Sequence, residues 1–359
     1  MSTHLEQVIS SDRVPFHALA DGFQKAMTMG TKLHQLLVLV AGFPVSIRVI
    51  GDEWFDVVHR ATRHLERYSN PTSAVLHIDA WDEQATGVKV ERIDLPADAP
   101  LVVMKMSDDG RYVGEERRHT TLWMDQSSAR MIGATDTAAR LNLDERARPF
   151  HKLLSLWLEQ RHVQFLHAGL VSHDNTGVLF VGNGGAGKST SSICCLRAGM
   201  GYLGDDFVGF SQDGDVFTGH GLYASCLLDS HHLRRFPDLA EHAHAPHLAF
   251  EHKHVLYLDQ KFGESLKVSQ TIKGLALPRL VDSDTTTFEP ASRMQGLRAL
   301  APTSVMYLPR PNRAAFERIS ALVESVPSFW LNLGRDVSTI APTVRKMIAS
   351  IRSVHPPTG

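Results

Sequence analysis

The chain has 359 residues, 43% hydrophobic and 21% charged, with a formal net charge of −2. These values exclude a disordered, collagen-like or coiled-coil chain and leave one large domain or two ordinary ones. With no basic excess there is no footprint of a general nucleic-acid binder, and no apolar run reaches the roughly 18–20 residues a membrane helix needs.

In chain order, Leu36 to Val40 and Val45 to Ile50, joined by Ala-Gly-Phe-Pro, read as a hairpin. Residues 53–68 place Trp54, Val57, Val58, Ala61 and Leu65 at helical spacing. Strands are expected at 74–79, 101–106, 111–116 and 120–125, giving a small α+β unit with a mostly antiparallel sheet. Residues 136–148, rich in Ala, Asp and Arg, read as a linker, and 149–161 as an amphipathic helix with Trp157 on its apolar face. The expected division is an N-terminal α+β domain over 1–148 and a nucleotide-binding catalytic domain over 149–359. In the latter, 163–171 and 177–181 read as strands, about 188–198 as a helix, and 202–206, 207–210, 254–259 and 274–281 as further strands. Helices are expected at 290–300, 312–326 and 336–351. The N-terminus has no basic segment followed by an apolar one, and the three cysteines form no disulfide framework, so a cytoplasmic setting is expected.

The strongest chemical signal is Gly182-Asn183-Gly184-Gly185-Ala186-Gly187-Lys188-Ser189, which fits G-x-x-x-x-G-K-[ST] between an apolar strand and a helix. Glycines let the backbone curl into an anion nest, and the helix N-terminus adds its dipole. Lys188 can reach the β- and γ-phosphates; Ser189, with Thr190 beside it, can ligate Mg²⁺. The expected cofactors are therefore ATP and Mg²⁺. Downstream, Gly204-Asp205-Asp206 ends a short strand, so one carboxylate can hold metal and the other can accept a proton from an attacking hydroxyl. A plain turn or helix cap is the competing reading of that pair. His167 lies on the strand before the one that feeds the loop; a lone His there is more often a core residue.

Taken together, Leu166-His167-Ala168-Gly169, Gly182 to Ser189 and Gly204-Asp205-Asp206 resemble the catalytic core of HPr kinase/phosphorylase and its stand-alone bacterial relatives, some of which phosphorylate lasso-peptide precursors. The resemblance is tight over about 163–211 and implies a phosphate-loop fold similar to phosphoenolpyruvate carboxykinase. It implies that His167, Lys188 and the tandem aspartates are the active-site residues. The second signature of the bifunctional HPr enzymes is missing after the aspartates, and the N-terminal half does not look like theirs. The expectation is an ATP-dependent serine kinase with Asp206 at the acceptor hydroxyl and Asp205 with Ser189 at the metal. Its partner is a protein or peptide carrying a serine, with neither nucleic acid nor membrane involved, and a homo-oligomer is compatible. The N-terminal half would recognise the acceptor or mediate assembly. A nucleotide-gated binding protein without phosphotransfer and a kinase for free serine or a similar alcohol are the alternatives. Residues 231–254 carry seven histidines in no standard zinc spacing and read as a mobile lid or acceptor-contact loop. Cys194 and Cys195 are adjacent on the loop helix, so at least one belongs to the core. Lys253, Arg234 and Arg235 are candidate contacts to phosphate or to an acidic peptide.

Overall fold

The computed structural model describes residues 8–10, 14–67, 74–92, 102–246, 252–308 and 312–354. It is a mixed α/β structure. The first half is one sheet of eight strands: β1 (Val8–Ser10), β2 (Leu33–Val40), β3 (Phe43–Ile50), β4 (Leu76–Asp82), β5 (Val103–Met106), β6 (Tyr112–Glu116), β7 (Thr120–Asp125) and β8 (Arg130–Thr135). Their spatial order is β1-β5-β6-β7-β8-β4-β3-β2. The β3–β4, β4–β8 and β1–β5 pairs are parallel and the other four antiparallel, so the sheet is more mixed than the sequence reading expects.

Side-chain alternation explains how both faces of this sheet are covered. Ile50, Trp81 and Trp123 point to one face, under α1 (Phe16–Met27). Val45, Ile47, Val49, Leu76, Ile78, Leu122 and Met124 point to the other. There they meet α2 (Asp52–Thr62), which carries Trp54 and Val58. After α3 (Glu83–Thr86), residues 136–148 are not a bare tether. They hold a 3₁₀ turn and α4 (Leu143–Ala147), whose Asn142–Glu145 capping box fixes its start. Ala138, Leu141, Leu143 and Ala147 are buried. Helix α5 (His151–Glu159) follows, with Leu153, Leu154 and Trp157 in the same core as Phe165, Tyr223 and Tyr257 of the second half. One apolar core thus runs from the first sheet into the second half.

The expected strand 163–171 is two strands, β9 (Val163–Leu166) and β10 (Gly169–His173), broken at His167-Ala168. Then come β11 (Thr176–Phe180), α6 (Lys188–Arg197), β12 (Gly201–Gly204), β13 (Val208–Asp213), β14 (Val216–His220) and β15 (Ser225–Asp229). Helices α7 (Ser230–Leu233) and α8 (Pro237–Ala240) precede β16 (Ala243–His244) and β17 (Lys253–Tyr257). The chain closes with α9 (Asp259–Phe262), β18 (Ser269–Leu280), β19 (Thr287–Ala291), α10 (Arg293–Met306), α11 (Arg313–Ser325), β20 (Ser328–Leu333) and α12 (Ile340–Val354).

Strands β9–β14 and β18–β20 form one bent sheet, with β11, β18 and β20 parallel at its centre. Being buried on both faces, β11 is a continuous apolar run. Val178 and Phe180 pack against α6 and α12, while Leu179 and Val181 join the core that holds Leu300 of α10 and Ile319 and Leu322 of α11. The His-rich stretch is not a free lid where it is described. Its residues form α7, α8 and a small sheet β15-β17-β16, and His247 lies outside the described residues. His232 Nδ1 bonds Asp229 at 2.8 Å, and His244 Nε2 accepts from Arg60 at 3.0 Å. Cys194, Cys195 and Cys226 are all buried free thiols. Among the described residues, no helix is long and apolar enough to cross a membrane.

Trp157 is 1% exposed and lies where the two halves share one core. Trp157→Ala is expected to lower the unfolding free energy by about 3–5 kcal/mol. Urea denaturation measures it; a loss below about 1 kcal/mol would mean that the shared core does not hold the halves together.

Candidate active site

Strand directions bring the three motifs to one edge. β10 is antiparallel to both β11 and β12, so β11 and β12 run the same way and end at the same side, where β10 begins. Gly169 lies opposite Phe180, and Leu170 opposite Gly204. The loop after β11, the aspartates after β12 and the histidine before β10 therefore converge. A second feature sharpens this. β9 pairs with β13 through Leu166 and Val208, whereas β10 pairs with β12. The ladder switches partners at 167–168 and 205–207, where the sheet turns a corner. Side chains at a corner are released from strict strand alternation, which lets His167 and Asp206 meet.

The loop itself has Gly182, Gly185 and Gly187 at φ 147°, 81° and 105°. Alternating handedness of this kind turns successive N–H groups to one side. Asn183, Gly184 and Gly185 are exposed, while Ala186 and Gly187 are half-buried. Lys188 opens α6 and is buried; its Nζ donates to Gly182 O at 2.7 Å and Asn183 O at 3.3 Å. Burial lowers its pKa, opposed by Asp206 and Asp205. Ser189 is half-buried and Thr190 buried on the same turn.

The two aspartates are treated differently. Asp205 accepts from Tyr202 Oη at 3.0 Å through Oδ1, and its Oδ2 is buried without a hydrogen-bond partner. Burial, then the charge of Asp206, pushes the carboxyl up to about 6, against the pull of Ser189 and Tyr202. An orphaned carboxylate oxygen next to a serine hydroxyl suits a hard divalent cation, for which oxygen is the preferred donor. Asp206 is half-buried, and Arg148, His167 and Lys253 outweigh its desolvation and hold it well below the usual carboxylate range. His167 Nε2 lies 2.9 Å from Asp206 Oδ1, and Arg148 Nη1 donates to Oδ2. The His167 ring stacks on Phe207 with centroids 5.3 Å apart and meets Tyr307 edge-on at 4.8 Å. Its Nδ1 is buried without a partner.

The structure thus places Lys188, Ser189, Asp205, Asp206 and His167 at one corner, beside residues 182–187 and 190. It adds Arg148, which the sequence reading leaves inside the presumed linker. Arg148 bridges Asp206 and Asp144, and its guanidinium lies 4.8 Å from the centre of the Phe207 ring. No sequence signal marked it beyond an Asp–Arg pair at i, i+4 on a short capped helix. Lys253, at the start of β17, exerts its charge on Lys188, Asp205 and Asp206. Arg235 acts on Cys194 instead. Asp229, His231 and His232 bring possible ligand atoms within 4.8 Å of one another, but both Asp229 oxygens already bond His232.

No family model and no curated protein matches the sequence. Among solved structures the chain is similar to the HPr(Ser) kinase/phosphatase from Coxiella burnetii, with 16% identity and a TM-score of 0.29 over 53% of this chain and 99% of that one. At that score the likeness carries no weight of its own, and the functional reading rests on the geometry above.

Two neighbouring glycines give a contrast. A Cβ on Gly187 would sit at φ +105° and 2.4 Å from Leu333 Cδ1, whereas one on Gly184 meets nothing within 4 Å. Gly187→Ala is expected to cost about 1–3 kcal/mol in urea denaturation and to abolish stabilisation by ATP. Gly184→Ala should leave stability within about 0.5 kcal/mol. Equal behaviour of the two variants would contradict the loop geometry.

Proposed function

We propose that this chain is an ATP-dependent kinase, similar to the HPr kinase group, that transfers the γ-phosphate to a serine hydroxyl on a protein or peptide. One observation carries the reading. A glycine-rich loop with a buried lysine, an aspartate with an orphaned oxygen and an Asp206 carboxylate held by His167 and Arg148 converge on one sheet corner. The loop amides and Lys188 hold the β- and γ-phosphates. Ser189 and Asp205 hold Mg²⁺, which neutralises charge on the phosphates. Asp206 orients the acceptor hydroxyl through Oδ1 and takes its proton, with His167 beside it. Arg148 and His167 make Asp206 a weak base, so most of the rate comes from positioning and charge stabilisation rather than proton abstraction. Residues 149–359, completed by Arg148 and Asp144 from the end of the preceding segment, form the catalytic unit, and the rest of residues 1–148 recognise the acceptor or mediate assembly. A cytoplasmic setting fits the three free thiols.

The nucleotide-gated alternative shares the loop and differs at the aspartates. An aspartate ion-paired to Arg148 and held by His167 favours chemistry over binding alone, because partly withdrawing a second carboxylate from water is costly without a task.

Lys188→Ala should remove the thermal shift given by ATP with Mg²⁺; a shift of wild-type size would refute the phosphate site. Asp206→Asn should keep ATP affinity within a few-fold and lower phosphate transfer by roughly 10²–10⁴. Asp205→Asn should instead weaken the Mg²⁺ dependence of binding, and His167→Ala should lower turnover more than binding. Transfer from [γ-³²P]ATP measures the rate, with the chain's native peptide targets as acceptors and phosphate release as background. Near wild-type transfer in both Asn variants would leave the pair as a turn and favour the nucleotide-gated reading.

A further inference from the structure

Two adjacent carboxylates, Asp205 buried and Asp206 half-buried, share one corner with the proposed cation site, and that arrangement has an electrostatic difficulty. A divalent ion attracted to Asp205 is attracted equally to Asp206, one residue away. If both carboxylates ligate it, none is left for the acceptor. Something must hold Asp206 away from the metal while leaving it charged.

Arg148 has the geometry for this. Its side chain is 12% exposed, and its planar fork spans two carboxylates, Nη1 to Asp206 and Nη2 to Asp144. It cannot lose its proton, so unlike a histidine or lysine it keeps its charge in a dry site. Its backbone is fixed independently of its own helix. Tyr257 Oη donates to Arg146 O at 3.0 Å, Ser225 Oγ to Ala147 O and Tyr223 Oη to Pro149 O at 3.2 Å. All three donors come from beyond residue 220. Asp144 is placed by the capped α4, beside Glu145, which lies 3.9 Å from the buried Arg117. Around Asp206 the titratable and charged groups are Arg148 and Asp144 from α4 and its end, His151 from α5, His167 from the β9–β10 corner, Lys188 from α6, Lys253 from β17 and Asp205 beside it. Of these, Arg148 and His167 touch Asp206 directly.

We infer that Arg148 is a positioning residue that partitions the tandem aspartates, tying Asp206 to the acceptor side and leaving Asp205 alone to ligate the metal. This rests on the proposed metal site at Ser189 and Asp205. Its consequence is that two readouts move in opposite directions. Removing Arg148 frees a second carboxylate for the cation, so metal binding tightens while turnover collapses. Loss of structure would weaken both.

The test uses the full chain and Mn²⁺ alone as probe, followed by electron paramagnetic resonance. Arg148→Ala is expected to bind Mn²⁺ at least about 3-fold more tightly, as removal of a nearby positive charge demands. Phosphate release from ATP, with water as acceptor, should fall about 100-fold. Millimolar guanidinium, filling the space left by the side chain, should restore part of that rate and return Mn²⁺ affinity toward wild type. Arg148→Gln keeps the stem over Phe207 and covers the case in which the alanine variant does not fold; the same tightening is expected. Arg148→Lys keeps the charge but not the fork, so Mn²⁺ affinity should stay near wild type while phosphate release still falls. Unchanged or weaker Mn²⁺ binding in folded Arg148→Ala or Arg148→Gln overturns the inference, as does an absence of guanidinium rescue. Wild-type protein that binds no Mn²⁺ would instead refute the metal site itself, which separates the two failures.

Discussion

Like charges placed side by side in a water-poor corner cannot share one environment, and the site described here depends on how that is resolved. Asp205 and Asp206 sit where the second sheet bends and its ladder changes partners. Asp206 receives a guanidinium and an imidazole; Asp205 receives one tyrosine hydroxyl and keeps an oxygen without a partner. The pair is thereby split into an ion-paired carboxylate and one that keeps an unpartnered oxygen. A flat sheet could not do this, because adjacent residues on a regular strand face opposite ways. The bend is therefore what lets the two carboxyls differ.

How much of this was legible in the sequence follows from the range of each interaction. The loop 182–189 was legible because its signature is local: glycines, a lysine and a serine at fixed offsets between a strand and a helix. Asp205 and Asp206 stood out by being adjacent, and His167 by being polar on an apolar strand. The corner was not legible, because residues 163–171 are apolar on both sides of the break and hydrophobicity cannot register a change of pairing partner. Strand β8 was missed because its middle is Gly133, chosen for close approach. A Cβ there would lie 2.2 Å from Leu122 Cδ2 and 2.4 Å from Thr121 O. Helix α1 was missed because it starts after Pro15 with no side-chain cap.

Arg148 was illegible for a different reason. Its partner Asp206 is 58 residues away, and the segment around it is short, charged and alanine-rich, which is the composition of a linker. Chain composition reports whether a segment can bury apolar area, not whether its carbonyls are taken by hydroxyls elsewhere. Here the carbonyls of Arg146, Ala147 and Pro149 are each taken by a side chain from the second half. Each such bond contributes on the order of 1 kcal/mol, and together they locate the arm more than its five-residue helix can.

The same clamp joins the two halves mechanically. Tyr223 and Tyr257 lie in the core that also contains Trp54, Val58 and Trp157, and their hydroxyls end on the carbonyls beside Arg148. A shift of the first sheet against the second would move those rings, then the carbonyls, then the guanidinium on Asp206. Packed cores resist small continuous deformation, so the distance between Arg148 and Asp206 is set by the whole shared core rather than by the local loop. A site whose loop is built from glycines thus has its charged partner mounted on the shared core. That division suits the proposed phosphoryl transfer, in which the loop would curl around the nucleotide while the carboxylate proposed to face the acceptor stays fixed.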